Sequence, residues 1–137
     1  MNGAVPALRI ENLVKRYGDF TAVDGISFIV PEGEFFGLLG PNGAGKTTTI
    51  NAIVGLAKIT GGTISLFGHD VVRDWRAARG QVGLAPQEYN FDRYLNIRDV
   101  LIFQAGYYGL RGPEVAKRAD LLLERFDLAS KAKLVYT

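Results

Sequence analysis

The spacing of apolar and polar positions changes character along the chain. Leu8, Ile10 and Leu13 predict a first strand and Tyr17-Gly18-Asp19 a turn. Ile26, Phe28 and Val30 then alternate with other residues until Pro31-Glu32-Gly33 breaks the run, so the front of the chain is expected to form an antiparallel sheet. Phe35-Phe36-Gly37-Leu38-Leu39 is apolar without alternation, the pattern of a strand buried on both faces of a parallel sheet. Thr47 to Leu56 predicts a helix with Ile50, Ile53 and Val54 on one side, ended by Gly55 or by Gly61-Gly62. A short strand at Thr63 to Phe67, a polar helix around Asp74 to Arg79 and a second buried strand at Val82 to Ala85, stopped by Pro86, follow. From Asn96 the period is helical. Ile97, Val100, Leu101 and Gln104 share one pattern, Pro113 marks a helix start, and Ala119, Leu122, Leu123 and Phe126 recur at helical spacing. The expected class is α/β, with a β subdomain and core over residues 1–88 and the start of a helical subdomain over 89–137.

Composition narrows the function more by exclusion than by signal. The 137 residues are 47% hydrophobic and 22% charged, which describes one small globular domain, whole or in part, rather than a disordered segment. No apolar run approaches the roughly 20 residues that cross a bilayer. The start, Met1 to Arg9, lacks the basic-then-apolar pattern of a secretory signal, so a soluble chain is expected. With no cysteine and a single histidine, His69, a Cys/His metal site is excluded. Sixteen Lys and Arg stand against fourteen Asp and Glu with the signs interspersed, so no nucleic-acid partner is expected.

The chemistry concentrates between the apolar run and the first helix. Gly40-Pro41-Asn42-Gly43-Ala44-Gly45-Lys46-Thr47 fits GxxxxGK[ST], the Walker A or P-loop pattern, in the strand-loop-helix setting that gives the pattern meaning. Its glycines allow successive N–H groups to turn inward on a phosphate chain, and the helix N-terminus adds unpaired donors and a positive dipole end. Lys46 supplies a mobile positive charge for the β- and γ-phosphates, the Thr47 hydroxyl is an oxygen donor suited to Mg²⁺, and Thr48 adds a phosphate contact. The backbone of Asn42, Gly43, Ala44 and Gly45 completes the predicted cradle. The alternative is a glycine-rich turn that happens to carry a surface lysine.

The NKxD and DxxG segments of a guanine-specific GTPase are both missing. The spelling Leu39-Leu-Gly-Pro-Asn-Gly-Ala-Gly-Lys-Thr-Thr-Thr49 resembles the Walker A of ABC-transporter ATPases. That resemblance implies ATP with Mg²⁺ as cofactors. It makes Tyr17, in Lys15-Arg16-Tyr17-Gly18, the aromatic that stacks on adenine, although by its own pattern Tyr17 reads as a turn or packing residue. It also makes Val82-Gly83-Leu84-Ala85-Pro86-Gln87-Glu88 the Q-loop, with Gln87 contacting metal and water and acting as a hinge; on its own, Gln87 reads as a solvated loop residue. Tyr89-Asn90-Phe91-Asp92 and the aromatics of Phe103-Gln104-Ala105-Gly106-Tyr107-Tyr108-Gly109 would lie near a membrane-spanning subunit, or alternatively in helical core. His69 is expected at the surface and not in catalysis, and Trp75 fits either core or surface.

The resemblance covers the whole chain but only the first portion of the family's domain. The LSGGQ signature, the Walker B carboxylate, the glutamate that polarises water and the switch histidine do not occur in these residues. Leu121-Leu122-Leu123-Glu124, the nearest acidic candidate, falls in a helical pattern, so no residue is assigned to catalysis and the 137 residues alone are expected not to hydrolyse ATP. The implied protein is an ATP-binding subunit that pairs head to tail with a second copy. It would sit in the cytoplasm at the inner face of the cell membrane and energise export through a membrane-spanning subunit, with a spelling similar to the ABC-2 exporters. A soluble ABC ATPase without a transport role and a degenerate ATP-sensing module are the alternatives.

Overall fold

A computed structural model describes residues 5–86 and 94–135. These belong to two compact units, divided between Ala85 and Pro86.

The first unit is built on an antiparallel sheet of four strands in the order β2-β1-β3-β4, with β1 Leu8–Tyr17, β2 Phe20–Val30, β3 Gly61–Leu66 and β4 His69–Asp70. The turn predicted at Gly18-Asp19 joins β1 to β2, and Tyr17 pairs with Phe20 across it. One helix, α1 (Lys46–Ile53), covers the sheet. Ile10, Leu13, Val23 and Ile64 from three strands are buried against Ala52 of α1, with Leu8, Ile26, Phe28, Ile53, Ile59 and Val71 around them. Burial of branched side chains from both layers is the main stabilising contribution here. A bulge puts Gly62 directly against β1. Its φ is 79°, and a Cβ there would lie 2.2 Å from the carbonyl oxygen of Asn12, so only glycine fits. The helix stops at Gly55, as expected: Gly55 N–H donates to Ala52 O and Leu56 N–H to Asn51 O. A short helix, α2 (Trp75–Gly80), closes the unit.

Two expectations are corrected. The face of α1 turned to the sheet carries Thr49 and Ala52, with Ile53 of the predicted apolar side packed against the core, whereas Ile50 is exposed. The apolar run Phe35 to Leu39 is not a buried strand: it forms no ladder among the described residues, and Phe35 and Leu39 are almost fully exposed. Val82 to Ala85 likewise lacks ladder pairing. A parallel strand takes its hydrogen bonds wholly from neighbours, so apolar composition alone cannot create one. What anchors the run is Phe36, stacked on Phe28 of β2 with ring centroids 5.0 Å apart.

The second unit holds α3 (Ile97–Tyr107) and α4 (Pro113–Arg125), followed by a 3-10 turn at Ala129–Lys131. Asn96 caps α3, its side-chain oxygen accepting from Asp99 N–H at 2.9 Å, and Pro113 opens α4 as predicted. Ala119 and Leu123 of α4 are buried, whereas Phe126, expected on the same stripe, is exposed beyond the helix end. Arg98 on α3 grips Asp120 on α4 through two hydrogen bonds; these hold the Asp120 carboxyl below its ordinary range and raise the Arg98 guanidinium. The chain then returns to the start of α3, where Ile97 N–H donates to Leu134 O and Arg98 N–H to Ala132 O.

Candidate nucleotide-binding site

The glycine loop ends where α1 begins, and its position follows from an irregularity in the sheet. Lys15 pairs with Val23, but the next residue, Arg16, pairs with Thr21, which leaves Ala22 as the extra residue of a β-bulge. Gly45, the N-cap of α1, rests on that bulge with φ 79° and ψ 5°. A Cβ at Gly45 would lie 2.4 Å from the Ala22 carbonyl oxygen and 3.1 Å from Val23 Cγ2. The left-handed conformation and the close approach both require glycine.

The loop is closed by Ala44 N–H donating to Pro41 O at 3.2 Å. Helical bonding starts with Thr49, whose N–H and hydroxyl both donate to Gly45 O, at 2.8 and 2.9 Å. Between these points the N–H groups of Gly43, Gly45, Lys46, Thr47 and Thr48 have no partner among the described residues. The first turn of α1 contains no acidic side chain, so its positive end is not neutralised locally. Lys46 Nζ donates to the carbonyls of Gly40 and Pro41 at 2.6 and 2.7 Å, which engages two of its three donors at the loop's edge. Asn42, Gly43, Ala44 and Thr47 are exposed, whereas Gly45, Lys46 and Thr48 are half-buried. The Thr47 hydroxyl makes no hydrogen bond within the described residues and is open to a metal ion. A cluster of free donors, a cation and an open hydroxyl, with no acidic side chain in the first turn of the helix, fits a metal-chelated polyphosphate.

Tyr17 lies at the end of β1, 51% exposed. It pairs with Phe20, two residues before the Ala22 bulge that carries Gly45, so its backbone lies at the end of the hairpin next to that bulge. Lys15 Nζ sits over its ring, 4.3 Å from the centroid. Gln87 lies outside the described residues, as do Tyr89, Asn90, Phe91 and Asp92. Phe103, Tyr107 and Tyr108 are exposed on α3 and its C-cap, which removes the helical-core alternative for them. His69 is partly exposed and bonds Asp74 at 2.6 Å, a surface role as expected. Trp75 is half-exposed beneath the guanidinium groups of Arg76 and Arg79. Glu124 is on α4 and not at a strand end.

Sequence reasoning missed two supports of the loop. Thr49 is the most deeply buried polar residue of α1, and its position three residues after the lysine was the available signal. The Ala22 bulge left no signal, because it exists only in the pairing register.

The loop, the helix it caps and the antiparallel sheet define a P-loop domain. Residues 23–136 match the ABC transporter family, and the chain belongs to it. It is 44% identical over 126 residues to a Nod factor export ATP-binding protein I of Paraburkholderia xenovorans, an alignment covering 92% of this chain and 41% of that protein. It is 43% identical over 126 residues to the linearmycin resistance ATP-binding protein LnrL of Bacillus subtilis, covering 92% and 40%. A solved ATP-binding subunit of an ABC transporter superposes with a TM-score of 0.81 at 30% identity, covering 94% of this chain and 54% of that one. An ATP-binding cassette of another ABC transporter gives 0.72 at 27% identity, covering 95% and 57%. The chain thus spans about two fifths of the curated relatives it matches. Among the described residues no helix is long and apolar enough to cross a membrane.

Proposed function

We propose that this chain binds ATP with Mg²⁺ on the Gly40–Thr47 loop, as part of an ATP-binding subunit that energises export across a membrane. The observation that carries the reading is the set of N–H groups of Gly43, Gly45, Lys46, Thr47 and Thr48, unpartnered among the described residues and beside the Lys46 ammonium, with Gly45 locked on the sheet bulge. In this reading the backbone of Asn42 to Thr48 wraps the phosphates. Lys46 leaves its two carbonyl acceptors for the β- and γ-phosphate oxygens, and Tyr17 stacks on the adenine. The Thr47 hydroxyl and the Gln87 amide oxygen hold the metal, which when bound neutralises the phosphate oxygens and aligns them.

The export assignment is supported by the names of the similar Nod factor proteins and by the Thr47-Thr48-Thr49 spelling of the ABC-2 type. The subunit would act head to tail with a second copy, on a membrane-spanning partner, at the inner face of the membrane. The 137 residues taken alone would not turn over ATP, because the Walker B carboxylate and the adjacent glutamate that position metal and activate water in this family do not occur in them.

Calorimetry with Mg·ATP tests the binding reading. Saturable binding that Lys46→Ala weakens by about 10- to 100-fold is expected, the range for a lost hydrogen bond to a charged group. A folded chain that gives the same isotherm with and without Lys46 would overturn it.

A further inference from the structure

Tyr17 is half-exposed at the end of a hairpin, where an aromatic side chain would ordinarily sample several rotamers. One contact restrains it. Lys15 and Tyr17 are two positions apart on β1, the spacing that puts side chains on one face, and the Lys15 ammonium lies 4.3 Å from the ring centroid. Lys15 is itself held: its backbone pairs with Val23, the residue whose Cγ2 would meet a Cβ at Gly45. Residues paired directly across a ladder share a face, so the Lys15 stem lies on the side of the hairpin from which Val23 touches the glycine loop. Among the described residues no carboxylate pairs with Lys15 and no hydrogen bond draws its ammonium away from the ring.

We propose that Lys15 is a positioning residue for base recognition: it covers one face of Tyr17, fixes the ring relative to the glycine loop and leaves the opposite face for the purine. This rests on the reading of Tyr17 as the adenine-stacking residue. Two physical effects act in the same direction. A ring already ordered loses less conformational freedom when the base arrives. A cation on one face draws π-electron density toward itself, which favours stacking of an electron-rich purine on the other. Lys15 therefore acts on the base alone, in contrast to Lys46, which acts on the phosphates.

The test compares Mg·ATP with Mg·tripolyphosphate, which lacks the base, in a double-mutant cycle on the full chain with circular dichroism confirming the fold. Lys15→Ala is expected to weaken Mg·ATP about two- to fivefold, the size of an exposed cation–π contact, and to leave Mg·tripolyphosphate unchanged. Lys15→Arg, which keeps a cation over the ring, should restore ATP affinity, and Lys15→Ala should have no further effect in a Tyr17→Ala background. The proposal is overturned if tripolyphosphate weakens equally, which would make Lys15 a phosphate ligand. It is also overturned if Lys15→Ala changes nothing while Tyr17→Ala weakens ATP, because the ring then needs no support. If Tyr17→Ala leaves ATP affinity unchanged, the stacking reading itself falls and this proposal falls with it.

Discussion

The sheet core and the apolar run before the glycine loop have similar side chains and opposite fates. Ile10, Leu13 and Ile64 are enclosed, whereas Phe35 and Leu39, equally apolar, stand in solvent. The core strands find ladder partners along their length, β1 between β2 and β3, whereas residues 35–39 find none among the described residues. Hydrophobicity sets the tendency to be buried, and a hydrogen-bonded neighbour decides whether burial happens. The run is connected to the core by the Phe36–Phe28 stack, which leaves the loop that follows it dependent on Gly45 and α1 for its place.

Substitution on the two sides of this contrast should separate most widely. Leu13→Ala, which empties a fully enclosed site, should cost about 2–5 kcal/mol in denaturant unfolding. Phe35→Ala should change stability by less than about 0.5 kcal/mol, as an exposed position does. Equal losses would mean that the run is packed in solution. A smaller effect sharpens the link between sheet and loop. Gly45→Ala and Gly62→Ala both force a Cβ onto a strand carbonyl in a left-handed conformation, and each should cost about 1–3 kcal/mol. Only the Gly45 change should also weaken Mg·ATP, since Gly62 supports the sheet and not the loop. Matching losses of nucleotide affinity in the two variants would assign the effect to general instability.

The smallest effect belongs to the helical unit. Asp120 has a folded-state pKa lowered by the Arg98 hydrogen bonds. Its contribution is therefore fully present above the unfolded carboxylate value of about 3.9 and is lost as pH falls through the lower folded value. Helical circular dichroism should decline over that acid range less steeply in Asp120→Asn than in the wild type, and both partners being exposed keeps the difference small. Identical acid profiles would show that the pair adds nothing to this unit.

What the sequence made legible was local. Asn96 and Pro113 announced α3 and α4, Gly18-Asp19 announced the hairpin, and Gly55 announced the end of α1, because caps and turns depend on neighbouring residues alone. The glycine loop was legible for the same reason, as a short run of fixed spacing that opens a helix, although the strand expected before it is not formed among the described residues. What was not legible was non-local: the pairing of Phe35 to Leu39, the exposure of Ile50 beside the packed Ile53 on α1, and the bulge at Ala22 that seats Gly45 all depend on partners far along the chain. Lys15 belongs to the same group, since its contact with Tyr17 follows from strand conformation and gains meaning only beside the bulge.

The central claim is that the free N–H groups between Gly43 and Thr48 form the phosphate cradle. Titrating isotopically labelled chain with Mg·tripolyphosphate while following backbone amide resonances tests it most directly. The amides of Gly43, Gly45, Lys46, Thr47 and Thr48 should shift together along one saturation curve, while Ala44, already bonded to Pro41, moves less. Saturable binding that leaves those five resonances in place and moves another region of the chain would contradict the account.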